Sequence, residues 1–345
     1  MEDKIKKAED WYDKNKDIYK SFSVEIADII EKVLKTKKLS YQSITKRLKE
    51  KDSYLNKCKK ECYLNPIEEI MDVAGIRIIA YTNNDVEKIC EVIKEEFNID
   101  DNNSGNKIDK MDEDKVGYLS VHYIAELNDA RARLTEYRIY NNCKCEIQVR
   151  TLLQHAWAEI EHDRHYKFSG VLPKDISRRF YLIAGVLEMM DREFDTLSNE
   201  IDDHSKTIKI KTKKNDLNIE IDSESLSQYM ISKFKDNKNI VPSNEVVIGK
   251  SVTEELIRFG FTKIEDIDQK LTENMVEQML SLWEIISYTG ILRNLMILLD
   301  VKKYFEAAYN QTWALARKID IENWEKMGLK DIRKYLQNAN IHMET

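Results

Sequence analysis

In residues 1–39 the apolar side chains Trp11, Ile18, Phe22, Ile26, Ile29, Ile30 and Val33 recur at three- and four-residue steps, with lysines between them. That spacing predicts a long amphipathic helix. Residues 40–63 are basic and weakly patterned, and read as further helix or as loop. Pro66 followed by Glu68 and Glu69 marks a helix start. The run Asp72, Val73, Ala74, Gly75 should cut that helix short. Residues 76–81 (IRIIAY) are β-branched and predict a buried strand. Helical spacing returns over 86–97, and a polar loop with Gly105 is expected over 98–115. Residues 118–127 and 137–149 predict strands; 152–166 and 176–199 predict helices.

Near residue 201 the texture changes. Residues 206–221 alternate lysine with isoleucine or threonine, a strand or hairpin signature, and 223–345 reads as almost wholly helical. A boundary at 200–205 follows, dividing the chain into 1–204 and 205–345. The first domain, with roughly five strands among helices, is expected to be an α+β or α/β layer fold. The second is expected to be a helical bundle around Trp283, Trp313, Trp324, Leu292, Leu295 and Leu298.

Composition narrows the class. A length of 345 residues suits two domains, and 42% hydrophobic residues suffice for a core in each. Charged residues at 34% with only 9 glycines and 3 prolines favour helix over tight turns. A formal net charge of −7 argues against coating nucleic acid wholesale. Five cysteines, an odd number, suggest free thiols in a reducing cytosol. The polar start at residues 1–7 has no signal-peptide character. The apolar region 285–301 is broken by Arg293, Asn294 and Asp300, so it predicts a buried helix and not a membrane span. The expected compartment is the cytoplasm.

The densest candidate chemistry lies in 146–163, EIQVRTLLQHAWAEIEHD. Glu146, Gln148 and Arg150 alternate with Ile147 and Val149, which in a strand puts three polar heads on one face. Leu152, His155, Glu159 and His162 then follow helical spacing. Asp72 precedes one predicted strand and Glu146 opens another. Two carboxylates on neighbouring strands can hold one Mg²⁺ bound to nucleotide phosphates; strand-end surface charges are the plainer alternative. Lys49, Ser53 and Lys57 share a face if their segment is helical, with Arg47 just before them. Such a row suits a triphosphate, or is simply a solvated lysine-rich helix. Tyr118, Ser120 and His122 share a strand face after Gly117, suited to stacking on a base and donating to a phosphate or ribose. Cys143 and Cys145 with His155, His162 and His165 fit no closed zinc spacing, and Cys58 and Cys62 stand as a lone pair.

In sequence order these pieces resemble the RelA/SpoT-type alarmone synthetases, most of all the small synthetase-only kind. The likeness runs through Arg47-x-Lys49-x-x-x-Ser53-x-x-x-Lys57, Asn65-Pro66 to Asp72-x-x-Gly75-x-Arg77, Gly117-Tyr118-x-Ser120-x-His122, and Glu146-Ile147-Gln148-Val149-Arg150-Thr151 to His155-Ala156-Trp157-Ala158-Glu159. It covers about residues 20–200. The resemblance implies a nucleotidyltransferase-like small mixed sheet flanked by helices, followed by a mainly helical C-terminal domain. It implies transfer of the β,γ-pyrophosphate of ATP to the ribose 3′-hydroxyl of GDP or GTP. By that likeness Arg47 and Arg77 would sandwich the adenine. Lys49, Ser53 and Lys57 would grip the triphosphate, and Asp72 and Glu146 would hold Mg²⁺. Tyr118 would stack on the acceptor guanine, and His122, Gln148 and Arg150 would line the phosphate and acceptor side.

Two departures bear on this. Many relatives carry asparagine where this chain has Val116, and no hydrolase half precedes Arg47, so synthesis without hydrolysis is expected. Some relatives are toxins that pyrophosphorylate the 3′ end of tRNA. Lys206, Lys209, Lys211, Lys213 and Lys214, or Arg131, Arg133 and Arg138, offer an RNA backbone contacts for that alternative. A non-catalytic nucleotide-sensing module is a third reading. The C-terminal helices are expected to serve oligomerisation or a regulatory partner.

Overall fold

The computed structural model describes residues 2–106, 120–168, 173–242, 247–311 and 313–344. The chain divides into two compact units, Met1–Ser198 and Asn199–Thr345. The first is α+β. Helix α1 (Glu2–Thr36) leads into β1 (Ser43–Leu48), α2 (Lys51–Cys58), α3 (Pro66–Glu69), β2 (Ala74–Ala80) and α4 (Asn83–Glu96). There follow β3 (Phe97–Ile99), β4 (Gly105–Asn106), β5 (Val121–Leu127), the short α5 (Asp129–Ala132), a 3-10 turn at Thr135–Tyr140 and β6 (Cys145–Thr151). Helix α6 (Leu152–Phe168) continues directly from β6, and α7 (Lys174–Lys213) contains the division between the units.

The mixed sheet runs β1-β2-β6-β5-β3, with β4 also paired to β5. Among the described residues of this sheet β2 and β6 pair in parallel and the other pairs are antiparallel. One face is apolar. Ile76, Ile78, Ile147, Val149, Tyr123 and Ala125 pack there with Phe22, Ile26, Ile30 and Leu34 of α1 and Ile89 and Ile93 of α4. Each such isoleucine or leucine contributes about 1.5–3 kcal/mol by leaving water. The helix pattern of α1 thus has its partner: its apolar stripe covers the sheet.

Three expectations are corrected. Residues 40–63 hold a strand as well as a helix, because β1 is an edge strand whose central positions 45–47 are exposed, so that Lys46 and Arg47 carry charge there. Residues 137–149 are not one strand: the 3-10 turn is followed by Asn142 with φ of 64°, a left-handed turn residue. Residues 206–213 are helix, not strand. Ile208 and Thr212, four apart, are buried while Ile210 between them is 54% exposed, a helical and not a two-residue period.

The second unit is mainly helical: α8 (Ser223–Phe234), α9 (Lys250–Phe259), α10 (Ile264–Lys270), α11 (Glu273–Leu282), α12 (Tyr288–Leu299), α13 (Val301–Lys303), α14 (Lys318–Lys326) and α15 (Ile332–Asn338). A π-helical turn, Tyr304–Ala308, follows α13. Two-residue strands pair in parallel, Ile240–Val241 (β7) with Ile286–Ser287 (β8) and Leu315–Ala316 (β9) with His342–Met343 (β10). Its core joins Leu226, Met230, Leu256, Ile291, Leu292 and Leu295. Among the described residues no helix is long and apolar enough to cross a membrane.

Candidate active site

Strand register assembles the site. Parallel pairing sets Gly75 beside Glu146, Arg77 beside Gln148 and Ile79 beside Arg150. Antiparallel β1 sets Arg47 beside Gly75, and β5 sets His122 beside Gln148. Since side chains alternate across a sheet, Arg47, Arg77, His122, Glu146, Gln148 and Arg150 all share the face opposite the apolar core. Gly75 is the low point of that face. A Cβ there would lie 3.3 Å from Arg47 Cγ and 3.4 Å from its Nε, so the absent side chain is what lets Arg47 cross β2.

Asp72 sits in the turn that enters β2, and Lys49 just beyond β1, where its backbone N–H donates to the Val73 carbonyl at 2.8 Å. Helix α2 buries Tyr54 and Cys58 against Ala8 and Tyr12 of α1. Lys57 and Lys49 both donate to Asp72 Oδ2, at 2.9 and 2.7 Å. Asp72 Oδ1 is buried and has no hydrogen-bond partner among the described residues. Ser53 is exposed on α2, whereas Lys49 precedes the helix. The single helical face expected of Lys49, Ser53 and Lys57 is therefore corrected: a strand end and a helix supply them, and Asp72 draws the two lysines together.

Glu146 is held on both oxygens. His122 Nδ1 donates to Oε1 at 2.8 Å and Gln148 Nε2 to Oε2 at 2.8 Å. His122 Nε2 in turn lies 2.6 Å from Ser120 Oγ, within hydrogen-bond distance. Burial pushes the Asp72 carboxyl up, but the bonds and charges of Lys49 and Lys57 outweigh it and its pKa lies below the ordinary value. Glu146 is likewise raised by burial and lowered further by His122 and Gln148, ending below its ordinary value; the nearby Asp72 charge opposes this. Two ionised carboxylates thus lie within each other's field.

Arg150 is buried. Burial first, then the neighbouring Arg77 and Arg47 charges, lower its guanidinium to about 10, so it remains a cation at neutral pH. Helix α6 brings Glu159 over this cluster. Its Oε1 accepts from Arg77 Nη1 at 2.8 Å and lies 4.0 Å from Arg150 Nη2 and 3.7 Å from His155 Nδ1. Burial and the two arginines hold the His155 pKa below the usual imidazole value. The sequence reading did not assign Glu159 to the site. The signal was present in its four-residue spacing from His155, but only the tertiary fold shows which arginines it meets. Val116, Gly117, Tyr118 and the side chain of His165 lie outside the described residues.

The face therefore presents three arginines and two lysines against Asp72, Glu146 and Glu159, a cationic platform suited to polyphosphate. Among the described residues no group of three or more His, Cys, Asp or Glu side chains could hold a metal ion. Asp72 and Glu146 nevertheless fit Mg²⁺, which takes one or two protein carboxylates and leaves its other positions to phosphates and water. The buried Asp72 Oδ1, without a partner among the described residues, would supply an anionic oxygen to such an ion.

Residues 46–171 match the model of the region found in RelA/SpoT proteins. The chain is 28% identical over 174 residues to the GTP pyrophosphokinase YjbM of Bacillus subtilis (strain 168), covering 49% of this chain and 78% of that protein. It is 29% identical over 161 residues to the GTP pyrophosphokinase YwaC of the same organism, covering 45% and 73%. Among solved structures, the small alarmone synthetase 1 from Bacillus subtilis aligns at 24% identity and a TM-score of 0.48, over 56% of this chain and 99% of that one. Residues 46–171 thus carry the region found in RelA/SpoT proteins, and the chain is similar to two GTP pyrophosphokinases.

Proposed function

We propose that the chain is an ATP-dependent pyrophosphokinase that transfers the β,γ-pyrophosphate of ATP to the ribose 3′-hydroxyl of GDP or GTP, making (p)ppGpp and releasing AMP. The observation that carries this is that Glu146, Arg47, Arg77 and Arg150 share one sheet face, with Asp72 at the entry to β2 in the field of Glu146, within the matched region. The names of the two curated relatives support the same chemistry. The strand order is compatible with a nucleotidyltransferase-like sheet.

Arg47 and Arg77 hold the adenine between guanidinium planes, and Lys49, Ser53 and Lys57 bind the triphosphate. Tyr118 stacks on the acceptor guanine. Asp72 and Glu146 would hold Mg²⁺, which when bound neutralises charge on the phosphates. His122 and Gln148 fix the Glu146 carboxylate, and Arg150 supplies fixed positive charge on the acceptor side. The acceptor 3′-oxygen forms its bond to the β-phosphorus as the bond from that phosphorus to the α-phosphate oxygen breaks, and AMP departs with the electron pair. In such a loose transition state the attacking hydroxyl loses its proton late, when it is already acidic. Glu146 can then take it despite a lowered pKa. Catalysis rests on positioning and charge compensation. Nucleotide substrates and five cysteines in the free state accord with a cytoplasmic setting.

The test is AMP release from ATP by the purified chain with GDP, GTP, deacylated tRNA or no acceptor. AMP formed in step with a 3′-pyrophosphorylated guanine nucleotide is expected. Modification of tRNA alone would make the chain a toxin-type relative, and no AMP with any acceptor would make it a sensing module; either result overturns the proposal.

A further inference from the structure

Arg77, Arg150 and His155 converge on one carboxylate oxygen, Glu159 Oε1, reaching over from α6. The contact with Arg77 Nη1, at 2.8 Å, is a hydrogen bond; those with His155 Nδ1, at 3.7 Å, and Arg150 Nη2, at 4.0 Å, are too long to be. The other acids of the site are engaged elsewhere. Asp72 Oδ2 takes Lys49 and Lys57, and Glu146 is held by His122 and Gln148. Arg77 also lies in the field of Arg150, a like charge. With its side chain 27% exposed, packing does not fix its outer end. Left to itself, such a guanidinium would spread over several rotamers, turned toward water.

The chemistry of the guanidinium says what the Glu159 bond does. Its N–H donors all lie in the plane at its edge, while it stacks through its two faces. A carboxylate at the edge fixes the plane and leaves the faces open. Strand β2 holds one end of the Arg77 side chain and α6, through Glu159, holds the other. Ordering the arginine in advance lowers the cost of binding a flat ring against it. We propose that Glu159 is a positioning residue for the ATP donor, which holds the Arg77 guanidinium by its edge so that a flat face is presented to the adenine. This rests on the adenine role given to Arg77 in the proposed reaction. The plainer alternatives are an exposed ion pair of no consequence, or service to Arg150 and the acceptor.

The experiment has two readouts on the full chain. Calorimetry gives the Kd for α,β-methylene-ATP, in which the bond that transfer would break is blocked, and initial rates of AMP formation give KM for ATP and for GDP. Glu159→Ala, at an exposed position, should raise the analogue Kd and the ATP KM about 3- to 10-fold, with circular dichroism unchanged and the GDP KM within about twofold. Loss of a negative charge beside a polyanion would by itself tighten binding, so the expected change has the opposite sign to a simple charge effect. Glu159→Gln keeps an oxygen for the Arg77 edge and should recover most of the affinity. In an Arg77→Ala chain, Glu159→Ala should cause no further loss, because nothing is left for it to hold. The proposal is overturned by an unchanged or tighter analogue Kd in Glu159→Ala, by the same loss in the Arg77→Ala chain, or by a raised GDP KM at constant ATP KM. A chain that binds the analogue but transfers nothing defeats the transfer reading, and the analogue affinities then decide the role of Glu159. No analogue binding by the unaltered chain overturns both.

Discussion

Replacing Gly75 with alanine should separate stability from catalysis. Gly75 lies within β2 and is not among the residues with positive φ, so an alanine backbone fits without strain. Its methyl group would meet Arg47 Cγ at 3.3 Å and Nε at 3.4 Å. Arg47 is exposed and can swing aside. Removing a glycine from a strand gains about 0.5–1 kcal/mol, and an off-rotamer arginine costs about 0.5–1.5 kcal/mol. Net stability should therefore change by less than about 1 kcal/mol, a shift of a few degrees in Tm at most. The consequence for substrate is larger. Arg47 leaves the place from which it stacks on the adenine, an interaction worth about 0.5–2 kcal/mol. The KM for ATP should rise roughly 2- to 30-fold, with kcat less affected. Gly75→Val carries two further methyl groups on that carbon and should act more strongly while keeping the strand. The assay is the initial rate of AMP formation against ATP at saturating GDP, with thermal melts of both variants. An unchanged KM in a well-folded Gly75→Val chain would refute the reasoning, since the course of Arg47 over β2 would then not serve the donor.

Asp72→Asn removes the carboxylate whose Oδ1 is left for a metal, and AMP release should fall on the order of 10²–10³-fold with circular dichroism unchanged; wild-type turnover would dismiss the metal role. Asp72 and Glu146 have folded pKa values below their unfolded ones, so their contribution to stability is complete above roughly pH 4 and is lost as pH falls through the folded values. The Tm difference between wild type and Asp72→Asn should accordingly shrink below about pH 4, and a constant difference down to pH 2 would contradict the assignment. Asp191→Ala removes the acceptor of the buried Thr151 hydroxyl bond of 2.6 Å. It should cost about 1.5–3 kcal/mol, seen as faster amide exchange at the end of β6 and in the first half of α7; unaltered exchange there would argue against it.

Legibility in the sequence followed burial. β2 and β6 could be read because both lie inside the sheet and carry unbroken apolar alternation at Ile76, Ile78, Ile147 and Val149. The edge strand β1 could not, since at the edge an exposed Lys46 stands beside Ile76, on the face where the central strands carry apolar residues. The lysine–isoleucine alternation after residue 205 misled for the converse reason: in α7 only every fourth position there, Ile208 and Thr212, meets a core.

By itself, the order of residues determined the chemical inventory: two carboxylates, the lysine and arginine series, and the switch at Thr151 from strand to helix period that carries Glu146 and His155 on adjoining elements. Those features are local, fixed by spacing along a single backbone. Only the tertiary structure decided the pairings. Asp72 gathers lysines from a strand end and a helix, Glu159 crosses from α6 to Arg77, and Arg47 lies over Gly75. Each joins side chains that sequence separates and strand register or helix packing brings together, and register is set by burying a whole face of the sheet, a property of no single segment.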